Sequence, residues 1–368
     1  MKKIISLLLV LSLMMFLVAC GLFGQDEEYY PEEEYIEEEY EYEEEYEEEY
    51  EIIEEEYEEE PEEEERSVVR RQTPAPPVPN SILVLFLTSS DMRIFEEANA
   101  VSEERERYLA FGAFVPTNNR ESIRVFALGE SGNHAPRLLR DFWSITDEES
   151  AREQLERLSI ADGQAPIADD IFNALVLRGQ TDEVDIMDVL FGNFDTTGLD
   201  NVYNAAVARA NRMEDEFELF LELAGATEDE RDEAFELFVT VQFVDRINRG
   251  LDAYRDAKAM LINSFGFTEE ELLNLPTLAA WDYGRAGFIA RYSYAADYLG
   301  EEEAWYHIKL AADNASSVYS SWREFTAAYV LGRALAFGSS SADIIDTLEF
   351  LLHHPDSSFQ TIDFHITS

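Results

Sequence analysis

Residues 278–299 have the sequence Leu278-Ala-Ala-Trp-Asp-Tyr-Gly-Arg-Ala-Gly-Phe-Ile-Ala-Arg-Tyr-Ser-Tyr-Ala-Ala-Asp-Tyr-Leu299, whose large side chains recur at helical spacing. One face of this helix would carry Trp281, Arg285, Phe288, Tyr292, Ala295 and Leu299. An arginine on so apolar a face needs a partner, because an unpaired buried charge is very costly. Asp282 precedes Arg285 at the i,i+3 spacing, at which helical side chains meet. The segment therefore predicts a core helix that contains an Asp/Arg pair.

Neighbouring segments supply further candidates for the same network, because they carry few other charges. The candidate residues are Trp281, Asp282, Arg285, Arg291, Asp297, Trp322 and Arg333. Three interpretations remain open: a buried network that sets helix register, an Arg-lined pocket for an anionic ligand, or an acid/base pair in an enzyme.

Start and stop signals predict helices along the rest of the chain. A hydroxyl residue precedes a Glu by three positions, the capping-box pattern, at Thr146, Thr227, Thr268 and Ser321. Glycines suited to helix C-termini follow at Gly225, Gly250, Gly266 and Gly338. Apolar spacing predicts two long amphipathic helices, 201–223 and 228–249, packed antiparallel. We therefore expect one mainly α, multi-helix domain over 81–368.

Ile82–Leu87 is the one segment with strand character, since it is a short apolar run that contains β-branched residues. Periodicity cannot separate a strand from a buried helix over so short a run. A short N-terminal strand and a buried helix both stay open.

The charge balance excludes several classes of partner. The chain has 368 residues with 79 Asp and Glu against 27 Lys and Arg, a formal net charge of −52. From residue 66 onward, 52 acidic residues still face 25 basic ones. Nonspecific nucleic-acid binding and a polybasic membrane patch both require the opposite charge, so neither is expected.

The N-terminus predicts export and lipid anchoring. Lys2 and Lys3 precede a 16-residue apolar run, which is short for a membrane span and suits a signal peptide over 1–19. Its end, Leu17-Val18-Ala19-Cys20, resembles a lipobox, in which the Cys20 thiol receives a diacylglyceryl group and acyl chains such as palmitate anchor the protein. An uncleaved anchor with an incidental cysteine is the alternative. We expect an extracytoplasmic protein held to the cell membrane through Cys20.

An acidic stalk follows over 20–65, in which positions 26–65 contain 26 Glu, one Asp and eight Tyr. So much charge and so little apolar surface predict disorder. A Pro-rich linker over 66–80 joins the stalk to the domain. The stalk is interpreted as a spacer or, alternatively, as a polyanionic site for cations and cationic peptides.

The sequence contains no motif typical of a metal centre or a catalytic site. The five His residues form no His-Glu-x-x-His pattern, and neither a nucleophile elbow nor a phosphate-binding glycine loop occurs. We therefore expect no metal or cofactor and assign no catalytic residue.

Several motifs in the last hundred residues resemble the bacterial family named domain of unknown function 1266. They are Trp281-Asp-x-x-Arg285, Ile289-Ala-Arg291, Glu302-Glu-Ala-Trp305, Ser321-Trp-x-x-Phe325 and Gly332-Arg333, preceded by Phe142-Trp-Ser-Ile145. The resemblance covers about 105–365. It departs in the tail, where Ser358-Phe359 replaces Pro-Trp. The resemblance implies a fold but no activity.

Together these features predict a cell-envelope lipoprotein that presents an acidic helical binding domain, with a cationic envelope component or a protein as partner. The alternative is an envelope hydrolase that uses paired carboxylates on a wall or glycan substrate.

Overall fold

The computed structural model describes residues 82–339 and 342–365, which are mainly α-helical, as the sequence predicts. Among these residues the only bridge of β type is an isolated one between Ala100 and Val125. The predictions for residues 1–19, Cys20, the stalk 20–65 and the linker 66–80 lie outside the described residues.

The helices are α1 Ile82–Leu87, α2 Ser90–Ala98, α3 Glu103–Ala110, α4 Phe114–Asn118, α5 Ala135–Trp143, α6 Glu148–Ser159, α7 Ala165–Ala174, α8 Ile186–Leu190, α9 Asp200–Arg212, α10 Glu214–Ala224, α11 Arg231–Phe265, α12 Glu269–Leu273, α13 Ala280–Ala295, α14 Glu301–Val318, α15 Trp322–Phe337, α16 Ile345–His353 and α17 Ser358–Thr361. Short 3₁₀ turns occupy Glu130–His134, Val176–Arg178, Glu228–Glu230 and Ala342–Ile344.

Helix α13 lies at the centre of the fold. It packs against α5, α6, α14 and α15, and every residue from Ala280 to Ser293 is buried. The sequence predicts one buried face, whereas the structure buries all sides, as expected for a helix without a polar face. The helix ends at Ala295 rather than Leu299.

Two glycines of α13 allow its neighbours to approach the backbone. A Cβ atom on Gly284 would lie 2.6 Å from Cε2 of Tyr329, and one on Gly287 would lie 3.0 Å from the Cα of Gly112. Any larger residue would therefore push α15 or the 111–113 turn away from the central helix.

The run Ile82–Leu87 is helical, so a strand at this position is excluded. Leu83, Val84 and Leu87 are buried, whereas Leu85 and Phe86 are exposed. This i, i+1, i+4 pattern of burial has the period of a helix, but a six-residue run is too short to reveal it without the structure.

Two predicted helix boundaries are wrong. The helix predicted over 201–223 is divided at Met213, where the backbone leaves the helical region (φ −98°, ψ 54°). Gly250 does not end a helix but lies inside the 35-residue α11. A Cβ at Gly250 would lie 2.7 Å from the carbonyl oxygen of Leu335. This glycine therefore allows α11 and α15 to cross at short distance.

Most of the other predicted start and stop signals lie at helix ends. Gly225, Gly266 and Gly338 adopt the left-handed conformation at C-termini, and Thr268 forms the predicted capping box with Glu271. The box predicted from Thr146 is displaced by one residue, because the carboxylate of Asp147 caps α6. No helix among the described residues is long and apolar enough to cross a membrane.

Candidate functional site

The carboxylate of Asp282, at the start of α13, receives hydrogen bonds from the start of α7. Its oxygens accept from the backbone N–H groups of Gly163 at 2.9 Å, Gln164 at 3.1 Å and Ala165 at 3.0 Å. Asp282 is completely buried. An anion here stabilises α7, since it satisfies unpaired N–H groups and complements the helix dipole.

Arg285 completes this cluster. Its guanidinium donates to the Asp282 carboxylate and, at 3.1 Å, to the side-chain carbonyl of Gln164. The same Gln164 oxygen accepts from the indole of Trp281 at 3.0 Å. The guanidinium also lies over the rings of Trp281 and Trp143, 4.4 and 5.6 Å from their centroids. Arg285 is 1% exposed, so the cluster offers no open charge to a ligand.

A second carboxylate, on α7, accepts hydrogen bonds from the residues directly before α13. Asp169 of α7 accepts from the hydroxyl of Thr277 at 2.6 Å and from the backbone N–H of Leu278 at 2.7 Å, directly before α13. Burial raises the pKa of Asp169, and the two hydrogen bonds oppose that rise. Each helix therefore caps the other, which fixes their relative position. Sequence reasoning missed Asp169, because the partner lies more than 100 residues away.

Arg291 does not join Asp282. Its guanidinium donates to the backbone carbonyls of Ser122 at 3.0 Å, Ala127 at 3.3 Å and Phe126 at 3.4 Å. Burial lowers the pKa of Arg291, and the nearby Glu121 opposes this effect. Arg291 thus holds the 122–127 segment against the central helix.

Glu121 and Tyr292 form a buried acid cluster that the sequence analysis did not identify. The phenol of Tyr292 donates to the Glu121 carboxylate, and Glu121 is only 6% exposed. Burial raises the pKa of Glu121, although Arg291 pulls it down, and burial beside Glu121 raises the pKa of Tyr292 well above its ordinary value. Glu121 lies in a polar loop, so no periodic pattern distinguished it from the many surface carboxylates.

The other two charged candidates lie apart from this core. Arg333 forms a two-pronged ion pair with Asp343, at 2.9 and 2.7 Å. Asp297 is exposed and adopts φ 58° immediately after α13, where it belongs to the turn rather than to a charge network. Neither residue is placed to bind Asp282.

Trp322 anchors the C-terminal tail. Its indole donates to the carbonyl of Ile362 at 2.9 Å, and its ring stacks on Phe359 with centroids 4.4 Å apart. The tail that lacks the family's Pro-Trp therefore still packs, because Phe359 supplies the aromatic ring.

A neighbouring serine and histidine, and the placement of possible metal ligands, bear on catalysis. Ser159 lies 3.4 Å from Nδ1 of His307, but Ser159 is completely buried and cannot reach a substrate. Burial lowers the pKa of His307, with Glu303 opposing. Among the described residues, no three His, Cys, Asp or Glu side chains are grouped to hold a metal ion.

Two open depressions on the described surface are lined by several carboxylates each. One, of about 720 Å³, is lined by Asp215, Glu218, Glu222 and neighbours between α10 and the start of α11. The other, of about 710 Å³, lies along α6, from Asp147 to Glu156. Neither contains any of the residues of the buried clusters.

One family of known proteins matches the chain. It is described as protein of unknown function (DUF1266), and it matches residues 138–364, well over half of the chain. The chain belongs to the DUF1266 family. The match begins later than the sequence motifs suggested, at 138 rather than about 105, and it includes both halves of the α7/α13 capping pair. No curated protein and no solved structure matches the chain.

Proposed function

We propose that this protein is a lipid-anchored cell-envelope protein whose acidic DUF1266 domain binds a cationic partner without catalysis. The observation that carries the proposal is the use of Asp282 and Arg285. The Asp282 carboxylate accepts from three backbone N–H groups and from Arg285, whose guanidinium also donates to Gln164, while the Nε of Arg285 has no hydrogen-bond partner among the described residues. Both side chains are at most 1% exposed. An ion pair enclosed in this way supports a fixed scaffold rather than a reactive centre.

The surface charge supports the choice of partner. Residues 82–365 contain 52 acidic and 22 basic residues, and in each of the two depressions described above the lining carboxylates outnumber the basic residues. Such a field attracts cationic partners and raises their rate of association. A basic envelope protein or peptide is the partner that this surface fits best.

The anchoring part of the proposal rests on the sequence alone. Cys20 at the end of a 16-residue apolar run would carry the lipid, and the acidic segment 26–65 would hold the domain away from the membrane. A polyanionic spacer would also add to the attraction for a cationic partner.

A hydrolase would need an accessible carboxyl group with a raised pKa. Burial raises the pKa of Glu121, Asp169 and Glu96. Glu121 is buried against Tyr292 and Arg291, Asp169 accepts from Thr277 and Leu278, and Glu96 accepts from the hydroxyl of Ser122. Each of these carboxyl groups is held by a hydrogen bond within the fold, which favours the binding module over the enzyme.

The test is an affinity capture from the envelope fraction with the lipid-free chain 66–368 as bait. We expect a basic protein or peptide that is released as salt rises from about 0.05 to 0.5 M, since salt screens exposed charges. Capture that is insensitive to salt, or of acidic partners only, would contradict the proposal.

A further inference from the structure

Helix α10 is attached to the rest of the fold through one side only. Phe217 and Phe220 are buried, and their ring centroids lie 5.5 and 5.7 Å from that of Phe238 in α11. Leu219 and Leu223 lie on the adjoining face, since Leu223 follows Phe220 by three residues, and they are 43% and 39% exposed. Because these leucines are four residues apart, they adjoin on the helix surface and form one apolar patch.

Carboxylates border this leucine pair. Asp215 and Glu222 stand four residues before and three residues after Leu219, so they adjoin it on the helix surface. Both are exposed, as is Glu218, and all three line the depression next to α10. The one basic residue that lines the depression is Arg231, whose guanidinium donates to Glu218 and lies 5.2 Å from the ring of Phe217. The exposed face therefore combines a short apolar stripe with excess negative charge.

We propose that this face of α10 docks a cationic amphipathic helix of a partner protein or peptide. The apolar side of that helix would cover Leu219 and Leu223, while its Lys or Arg residues pair with Asp215 and Glu222, since Glu218 already accepts from Arg231. Helices recognise one another in this way when an apolar stripe enters a groove with charges at its edges. The inference rests on the proposed function and names the surface that performs it.

Charge complementarity selects this occupant over two others. A second copy of the chain would bring identical acidic faces together in a two-fold dimer, and like charges across an interface are costly. An anionic membrane surface would be repelled for the same reason. A cationic helix satisfies both the leucines and the carboxylates.

The test uses the full chain, reconstituted in phosphatidylcholine vesicles, and a photoreactive synthetic peptide of about 18 Leu and Lys residues, long enough to form a helix. In one peptide the leucines follow helical spacing, and in a second the same residues are scrambled. The readout is the yield of cross-links to α10, which is independent of peptide bound to lipid. The variants are Leu219→Ser/Leu223→Ser and, as a matched control, Leu177→Ser/Leu190→Ser, whose leucines are 48% and 38% exposed elsewhere.

We expect the patterned peptide to lose about tenfold or more of its α10 cross-links in the first variant and to keep them in the control, since two leucines lose their apolar contact. Asp215→Asn/Glu222→Gln should lower the yield as well, which guards against misfolding of the serine variant. Equal yields in the Leu219/Leu223 variant and the wild type would overturn the α10 assignment and leave the proposed function standing. Absence of salt-sensitive cross-links anywhere on the chain would overturn both.

Discussion

Replacement of Asp282 by Ala tests the buried cluster most severely. Asp282 is fully buried and accepts from three backbone N–H groups and from Arg285. The substitution leaves the three N–H groups without an acceptor. It also leaves a guanidinium that is 1% exposed with Gln164 as its acceptor but without its counter-charge.

The expected loss follows from those contacts. A single buried donor without a partner costs about 1–3 kcal/mol. Removal of one partner from a buried ion pair costs about 3–5 kcal/mol, because the other charge keeps its full desolvation penalty. These effects describe overlapping groups and do not add, so we expect Asp282→Ala to lower the free energy of unfolding by about 3–5 kcal/mol, a large share of the stability of an ordinary domain.

Urea unfolding of the chain 66–368 measures this loss. The matched control is Asp313→Ala, which removes the carboxylate of an exposed i,i+4 pair with Lys309 and should change stability by less than about 1 kcal/mol. A midpoint of Asp282→Ala close to the wild-type value, with an unchanged slope, would refute the reasoning. Water would then reach the guanidinium, and the ligand pocket would become the better interpretation.

Three further predictions concern the anchor, the stalk and the acid cluster. Cys20→Ala should abolish lipid labelling and leave an uncleaved precursor; mature, labelled protein in that variant would disprove the lipobox. A peptide of residues 26–65 should be mostly coil at pH 7 and gain helix on circular dichroism as pH falls through about 4.3, because protonation removes the i,i+4 repulsion between Glu side chains; no gain by about pH 3.5 would contradict this. Because burial raises the pKa of Glu121 in the folded state, wild-type stability should fall as pH rises from the ordinary Glu value through the raised one. The urea midpoint of Glu121→Gln, compared with that of the wild type at the same pH, should therefore rise between pH 4 and pH 7. A difference between the two midpoints that stays constant with pH would exclude this contribution of Glu121 to stability.

Most of the helices can be predicted from the sequence because the signals that start and end a helix are local. The Thr268 box and Gly266 place helix ends correctly, since each depends on residues within one turn. Gly250 looked like the same signal, but its meaning depends on the carbonyl of Leu335, a contact between distant helices. Similarly, the complete burial of α13 depends on Gly112 and Tyr329, which no periodicity within residues 278–299 reveals.

The buried cluster was accessible only in part, for the same reason. The i,i+3 spacing of Asp282 and Arg285 indicates that the pair can meet, and the structure places the two side chains together. The three N–H groups that decide the role of Asp282 come from residues 163–165, so the sequence could not separate a helix cap from a ligand site. Arg291 and Arg333 carry the same signal as Arg285 in the sequence, yet Arg291 binds the 122–127 segment and Arg333 binds a 3₁₀ turn, and the sequence positions neither of these partners.

The most direct measurement is a time course of the purified domain, residues 66–368, with isolated cell envelopes, in which bound protein and soluble wall or glycan fragments are both quantified. A binding module predicts that the protein is retained rapidly, saturably and in a salt-sensitive way, while soluble fragments stay at the level of the protein-free control. Fragments that accumulate with time and in proportion to protein concentration would contradict it and would establish the hydrolase instead.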